Sequence, residues 1–304
     1  MLRALTRKKN RKTRRHKGGK TRCLFTKVPD NEGLGNQLFL YAVALGTLGT
    51  KADTISLCKI APTVSQHNPA KNYRNLFNGT KVNEANVKQR LNAAKNVGSS
   101  KNLRAVNGNA RIPVSLYQDC QRVANSILKV KDNLIRNEFS KPEYKKLFQK
   151  DPLKTAFMHI RLGDYKEIGW ALSFAYYDGA FIELFKRDPA LTTIFIVSDR
   201  INECIQQRDT WEKSVPGKEI IFVGSDTKPM NELQTLYIMM NCLGGAILSQ
   251  STYSSWGAML GPDTNPKSTI IYPRSWWFAH TIKDERDKEN PWNFPARWIK
   301  YPSK

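Results

Sequence analysis

The C-terminal half of the sequence predicts an α/β fold built on a doubly wound parallel sheet. Three observations carry that expectation. Short runs rich in Ile, Val and Phe recur at 156–160 (AFMHI), 193–198 (TIFIVS), 219–224 (EIIFVG), 246–250 (AILSQ) and 268–272 (STIIY). Each has the length of a buried strand and little polar alternation, as parallel strands covered on both faces require. Helical candidates fill the gaps at 176–187, 202–213, 231–242 and 254–260. Strand and helix alternating in this way build a parallel sheet.

The N-terminal half is organised differently. Residues 24–28 and 54–57 read as strands with a helix near 36–48 between them. Residues 60–115, rich in Asn, Lys and Gly, predict irregular structure with short helices. Residues 125–148 read as helical, broken at Ser140-Lys141-Pro142, because proline removes a donor and clashes with the preceding turn. Lys150-Asp151-Pro152 is the natural boundary. The expected division is a basic tail at 1–22, one lobe at 23–152 and a second at 153–304.

With 304 residues, 40% hydrophobic, and 7 Trp, 11 Tyr and 13 Phe, the chain is long and apolar enough to fold around one large or two ordinary cores. The net charge of +23 is uneven. Residues 1–22 hold 11 Lys or Arg and no acid, leaving 38 basic against 26 acidic residues in the remainder. So dense a block of like charge repels itself and predicts disorder. It reads as a solvated tail, a nucleic-acid patch, or a contact for an anionic membrane or glycan surface. Its Gly18-Gly-Lys-Thr21 ending imitates a phosphate-binding P-loop, but position 14, where the pattern needs glycine, is Arg.

Five widely spaced cysteines without a Cys-x-x-Cys pair argue against a disulfide framework or zinc cluster and favour a reducing compartment. No apolar run follows the cationic start as a signal peptide would require, and 38–48 is too short to span a bilayer. These features predict a soluble, cytoplasmic protein with no transmembrane segment. A single sequon, Asn78-Gly79-Thr80, points weakly the other way.

Three segments carry the chemistry. The first, Glu32-Gly-Leu-Gly-Asn-Gln-Leu-Phe-Leu-Tyr-Ala42, sets a glycine pair between a strand and a helix. Glycine allows backbone to approach a ligand, and a helix start offers N–H groups to an anion; a tight strand-to-helix turn would need glycine in any case. The second, His159-Ile-Arg-Leu-Gly-Asp-Tyr165, ends a strand. Period-two alternation turns His159 and Arg161 away from Met158 and Ile160. An imidazole and a guanidinium at the carboxyl edge of a parallel sheet suit a phosphate-bearing ligand; a structural Arg161–Asp164 pair with a satisfied core histidine is the alternative. The third, Ser249-Gln-Ser-Thr-Tyr-Ser-Ser-Trp-Gly-Ala258, again runs strand into helix. Its hydroxyls serve as N-caps or as phosphate donors beside the positive end of the helix dipole.

In this order the three segments resemble glycosyltransferase family 11, the α-1,2-fucosyltransferases. That family carries a Gly-Leu-Gly-Asn-Gln-Leu-Phe-x-Tyr-Ala segment, matched at 33–42, and a His-x-Arg-Arg-Gly-Asp-Tyr segment, matched at 159–165. A late Ser-(Thr/Ser)-Phe-Ser-Trp-Trp-Gly-Ala segment is matched at 251–258. Weaker echoes are Tyr176-Tyr177, Ile196-Val-Ser-Asp199, Leu236-Tyr-Ile-Met239 and Pro273-Arg-Ser-Trp-Trp-Phe278.

The resemblance implies a GT-B-like fold of two Rossmann-type lobes, with GDP-fucose held by the C-terminal lobe. It implies inverting transfer to a hydroxyl of a galactose-terminated glycan, commonly O2 of the galactose, with no cofactor and no metal ion. Arg161 would bind the diphosphate, with His159 against the nucleotide or phosphate. Ser251, Thr252 and Tyr253 would complete phosphate and ribose contacts, and Gly33, Gly35, Asn36 and Gln37 would line the cleft from the other lobe. For the acceptor base, Asp164 and Glu32 are the carboxylates inside the motif segments; a transition state that passes the proton to the leaving phosphate needs neither. The sequence departs from the pattern at Leu162, Glu32 and Ser255, which replace Arg, Gly and Trp. Thr235 stands where an acidic residue near the guanine is expected, and Glu232 lies one turn earlier. Two other readings are a protein O-fucosyltransferase and a nucleic-acid-binding protein on an inactive transferase fold.

Overall fold

The computed structural model describes residues 35, 149–224, 230, 232–274 and 294–303. The expected tail and the N-terminal elements lie outside the described residues, apart from Gly35 and residues 149–152, which include the expected boundary. So do the site candidates Glu32, Gly33, Asn36 and Gln37.

The described chain is an α/β fold on a six-stranded, all-parallel sheet. Its strands are β1 (Thr155–Ile160), β2 (Thr193–Ser198), β3 (Glu219–Phe222), β4 (Gly245–Ile247), β5 (Thr269–Pro273) and β6 (Ile299–Tyr301). The helices are α1 (Gly163–Glu167), α2 (Phe174–Arg187), α3 (Ile201–Ile205), α4 (Arg208–Ser214), α5 (Glu232–Asn241) and α6 (Thr252–Leu260). The strand order is β3-β2-β1-β4-β5-β6. It is the doubly wound, Rossmann-type order.

Burial explains why the strands were legible. All six residues of β1 are buried, as are the first five of β2, because helices cover both faces. Ala156, Met158 and Ile160 join Ile194, Ile196, Ile220, Ile247 and Ile271 in one cluster with α2 and Trp211 of α4. Phe157 and His159 alternate to the opposite layer. There α5 packs on β1 and β2 and also against α6.

The long helix expected over 202–213 is instead two short ones. Between them the Gln207 N–H bonds the Cys204 carbonyl at 3.0 Å, a three-residue turn that interrupts the α ladder. Trp211 then enters the core between Phe181 and Phe222, with ring centroids 5.8 and 6.2 Å away, and its Nε1–H reaches Asp178 at 2.7 Å. β6 was not anticipated, because its three half-buried residues make no apolar run. It joins the sheet beside β5, following a segment anchored on buried Asp263. That carboxylate accepts from Trp298 Nε1 at 2.7 Å and pairs with Arg297.

Candidate active site

The sheet order reverses between β1 and β4. Connections leaving these two strands cross to opposite faces and open a crevice at the carboxyl edge, which is where open α/β sheets bind ligands. The second and third motif segments are the chain leaving β1 and β4. Distant in sequence, they meet at that switch point.

His159 makes the junction. Its Nδ1 lies 2.8 Å from Ser249 Oγ, and its ring meets Tyr253 edge-on at 5.4 Å between centroids. Burial, reinforced by the nearby Arg161 cation, pushes the imidazole pKa down to about 3. At neutral pH the ring is therefore uncharged, with one nitrogen donating and the other accepting. It supplies shape and a hydrogen bond, not a cation. Ser249 is 1% exposed, and its own N–H bonds Ser254 Oγ at 3.1 Å. So covered a hydroxyl cannot meet an external electrophile, and the Ser249–His159 pair is a support rather than a nucleophilic dyad.

Arg161 follows at the strand end. Its Nη2 is 2.6 Å from Asp164 Oδ1, its Nη1 is 3.0 Å from Asp199 Oδ2, and its Cζ lies 5.3 Å from the centroid of the Tyr165 ring. The Arg161–Asp164 pair that spacing allowed is present. Asp199 is the further member, and the sequence reading did not single it out as a site residue. It follows β2, the neighbour of β1, and also accepts the Leu162 N–H at 2.9 Å. Its place just past the carboxyl end of a strand is the signal that would have found it.

Helix α6 is preceded by Ser251, whose backbone is extended (φ −133°, ψ 130°) and whose side chain makes no capping bond. Tyr253 ties the first turn to α5: its hydroxyl meets Thr235 Oγ1 at 2.5 Å and donates to the Glu232 carbonyl at 2.5 Å. Glu232, considered as a guanine ligand, and Thr235, which occupies the motif position, thus both bear on Tyr253. Gly35 packs on this turn. A Cβ there would lie 2.3 Å from the Tyr253 nitrogen and 2.6 Å from Thr252 Oγ1, so the contact excludes any side chain. One glycine of the first segment therefore touches the third.

No family model matches the chain, and a search of curated proteins returns no match. The chemistry of the crevice is read from its own residues. They are one guanidinium between two carboxylates, a neutral imidazole, a tyrosine, and a nine-residue helix that begins in serine and threonine. Among the described residues, no group of three His, Cys, Asp or Glu side chains is disposed to hold a metal ion. Among the same residues, no helix is long and apolar enough to cross a membrane.

Proposed function

We propose that this protein transfers L-fucose from GDP-β-L-fucose to a hydroxyl of a galactose-terminated glycan, with inversion and without a metal ion, on a GT-B-like scaffold. The observation that supports this reading is the convergence of three segments. His159–Ser249 joins the second and third across the β1–β4 crevice, and Gly35 of the first packs on Thr252 and Tyr253. The second and third leave adjacent parallel strands and so meet through the fold itself; the packing of Gly35 brings the first segment to the same point.

In the proposed reaction the acceptor oxygen bonds to the anomeric carbon as the bond from that carbon to the β-phosphate oxygen breaks. The electron pair leaves on GDP. Arg161 and the start of α6 meet the charge that develops there, the fixed electrostatic assistance that acyl- and phosphoryl-group enzymes also use. Neutral His159 holds Tyr253 and Ser249 in register behind them. The acceptor proton passes to Asp164, or to Glu32 of the opposite lobe. Asp164 is the candidate beside Arg161.

A panel of nucleotide sugars in a thermal-unfolding assay tests the donor. At a hundred times its dissociation constant a ligand stabilises by about 2.7 kcal/mol, which raises Tm by about 4 °C for a chain of this length. GDP-fucose is expected to give that rise. A larger response to UDP- or CMP-sugars overturns the assignment.

A further inference from the structure

Arg161 is occupied. Two of its nitrogens face carboxylates, so the guanidinium that the proposed function aims at a diphosphate is neutralised, and the trio carries a net negative charge. An anion entering the crevice must take over part of that pairing. The two partners are not equally held. The Asp199 side chain is 25% exposed and doubly anchored, with Oδ1 on the Leu162 N–H at 2.9 Å and Oδ2 on Arg161 Nη1 at 3.0 Å. It fills the space beside Gly163 so closely that a Cβ there would lie 2.4 Å from Oδ2. Asp164 is 51% exposed, sits on the five-residue helix α1, and bonds Arg161 Nη2 through Oδ1. Exposed ion pairs contribute little, because water screens them and two side chains must be ordered. A less exposed pair whose carboxylate is also fixed by a backbone N–H is harder to separate.

We infer that Asp164 is an internal competitor for the anion site: a diphosphate displaces it from Arg161 Nη2, while Asp199 keeps Nη1 in place. Asp199 is then a positioning residue that acts through Arg161. Asp164 sets how strongly an anion must bind before the guanidinium is released to it. The inference rests on the proposed role of Arg161 as diphosphate ligand, but not on the identity of the sugar or the base.

Inorganic pyrophosphate is the probe, titrated calorimetrically into the full-length protein at fixed ionic strength. Asp164→Asn, which keeps size and removes the charge, is expected to bind pyrophosphate several-fold more tightly than wild type. Asp209→Asn on α4, also an exposed carboxylate, corrects for the general gain of one positive charge and is expected to change affinity less than twofold. Asp199→Ala is expected to weaken binding despite losing the same charge, because Arg161 loses its anchor. If Asp164→Asn binds no tighter than Asp209→Asn, or more weakly than wild type, the competitor role is wrong. A parallel GDP-fucose titration separates the claims. Tighter pyrophosphate binding by Asp164→Asn without GDP-fucose binding in wild type would keep the competition and remove the donor assignment. Normal GDP-fucose binding without the Asp164 effect would do the reverse. No pyrophosphate binding by any variant would overturn the inference.

Discussion

Replacing His159 by Gln removes a titratable ring from the β1–β4 junction and leaves an amide able to reach the Ser249 hydroxyl. The folded protein holds the imidazole pKa near 3 against an ordinary value of 6.5, chiefly because the ring is buried and secondarily because Arg161 is close. Between those two values the unfolded chain binds a proton that the folded chain refuses. Stability owed to this group is therefore complete above pH 6.5 and declines as the pH falls toward 3. The slope approaches about 1.4 kcal/mol per pH unit below pH 6.5, so wild type should lose roughly 2 kcal/mol between pH 7.5 and pH 5 through His159 alone. Urea unfolding of wild type and His159→Gln at pH 7.5, 6.5, 5.5 and 5.0 measures it. The other histidines, His16, His67 and His280, and the carboxylates common to both proteins cancel in the difference. The advantage of wild type over the variant should begin to shrink near pH 6.5 and fall by about 2 kcal/mol in all between pH 7.5 and pH 5. A difference that stays flat to pH 5 would mean the ring is solvated or protonated in the folded state, and the packing described for the junction would be wrong.

Other perturbations address the remaining parts of the site. Arg161→Ala should lower fucosyl turnover on the order of a hundredfold or more without unfolding the protein, since the side chain is partly exposed. Arg161→Lys should recover only part of it, because an ammonium cannot fork onto two oxygens; full activity in the alanine variant would refute the diphosphate role. Gly35→Ala forces a methyl against the backbone of Tyr253 and should destabilise the protein by about 1–3 kcal/mol in chemical unfolding. An unchanged midpoint would show that Gly35 and α6 do not touch. Turnover should survive EDTA undiminished, and a loss restored by Mg²⁺ or Mn²⁺ would overturn metal independence.

The sheet was legible because strands buried on both faces leave unbroken apolar runs: β1, β2 and β5 start or end within a residue or two of the expected bounds. What escaped shares a physical reason. β6 is three half-buried residues at the edge of the sheet, and α1 is a single turn and a half after Gly163, so neither builds a period long enough to read. At the site, His159, Arg161 and Asp164 were visible because they fall in one seven-residue segment. Asp199, which ends the weaker Ile196–Asp199 echo, carried no site role, since an aspartate after a strand looks the same whether it is solvated or holds an arginine 38 residues earlier in the chain. The Ser249–His159 bond depends on which strands adjoin, and that order is tertiary information.

The reaction itself is the most direct test of fucosyl transfer. Purified protein incubated with GDP-fucose and a galactose-terminated oligosaccharide should release GDP and yield a fucosylated product whose new linkage is α, with little GDP release when the acceptor is omitted. Arg161→Ala run in parallel should release GDP on the order of a hundredfold more slowly. Absence of product from GDP-fucose, together with turnover of a UDP- or CMP-linked sugar on the same acceptor, would contradict it.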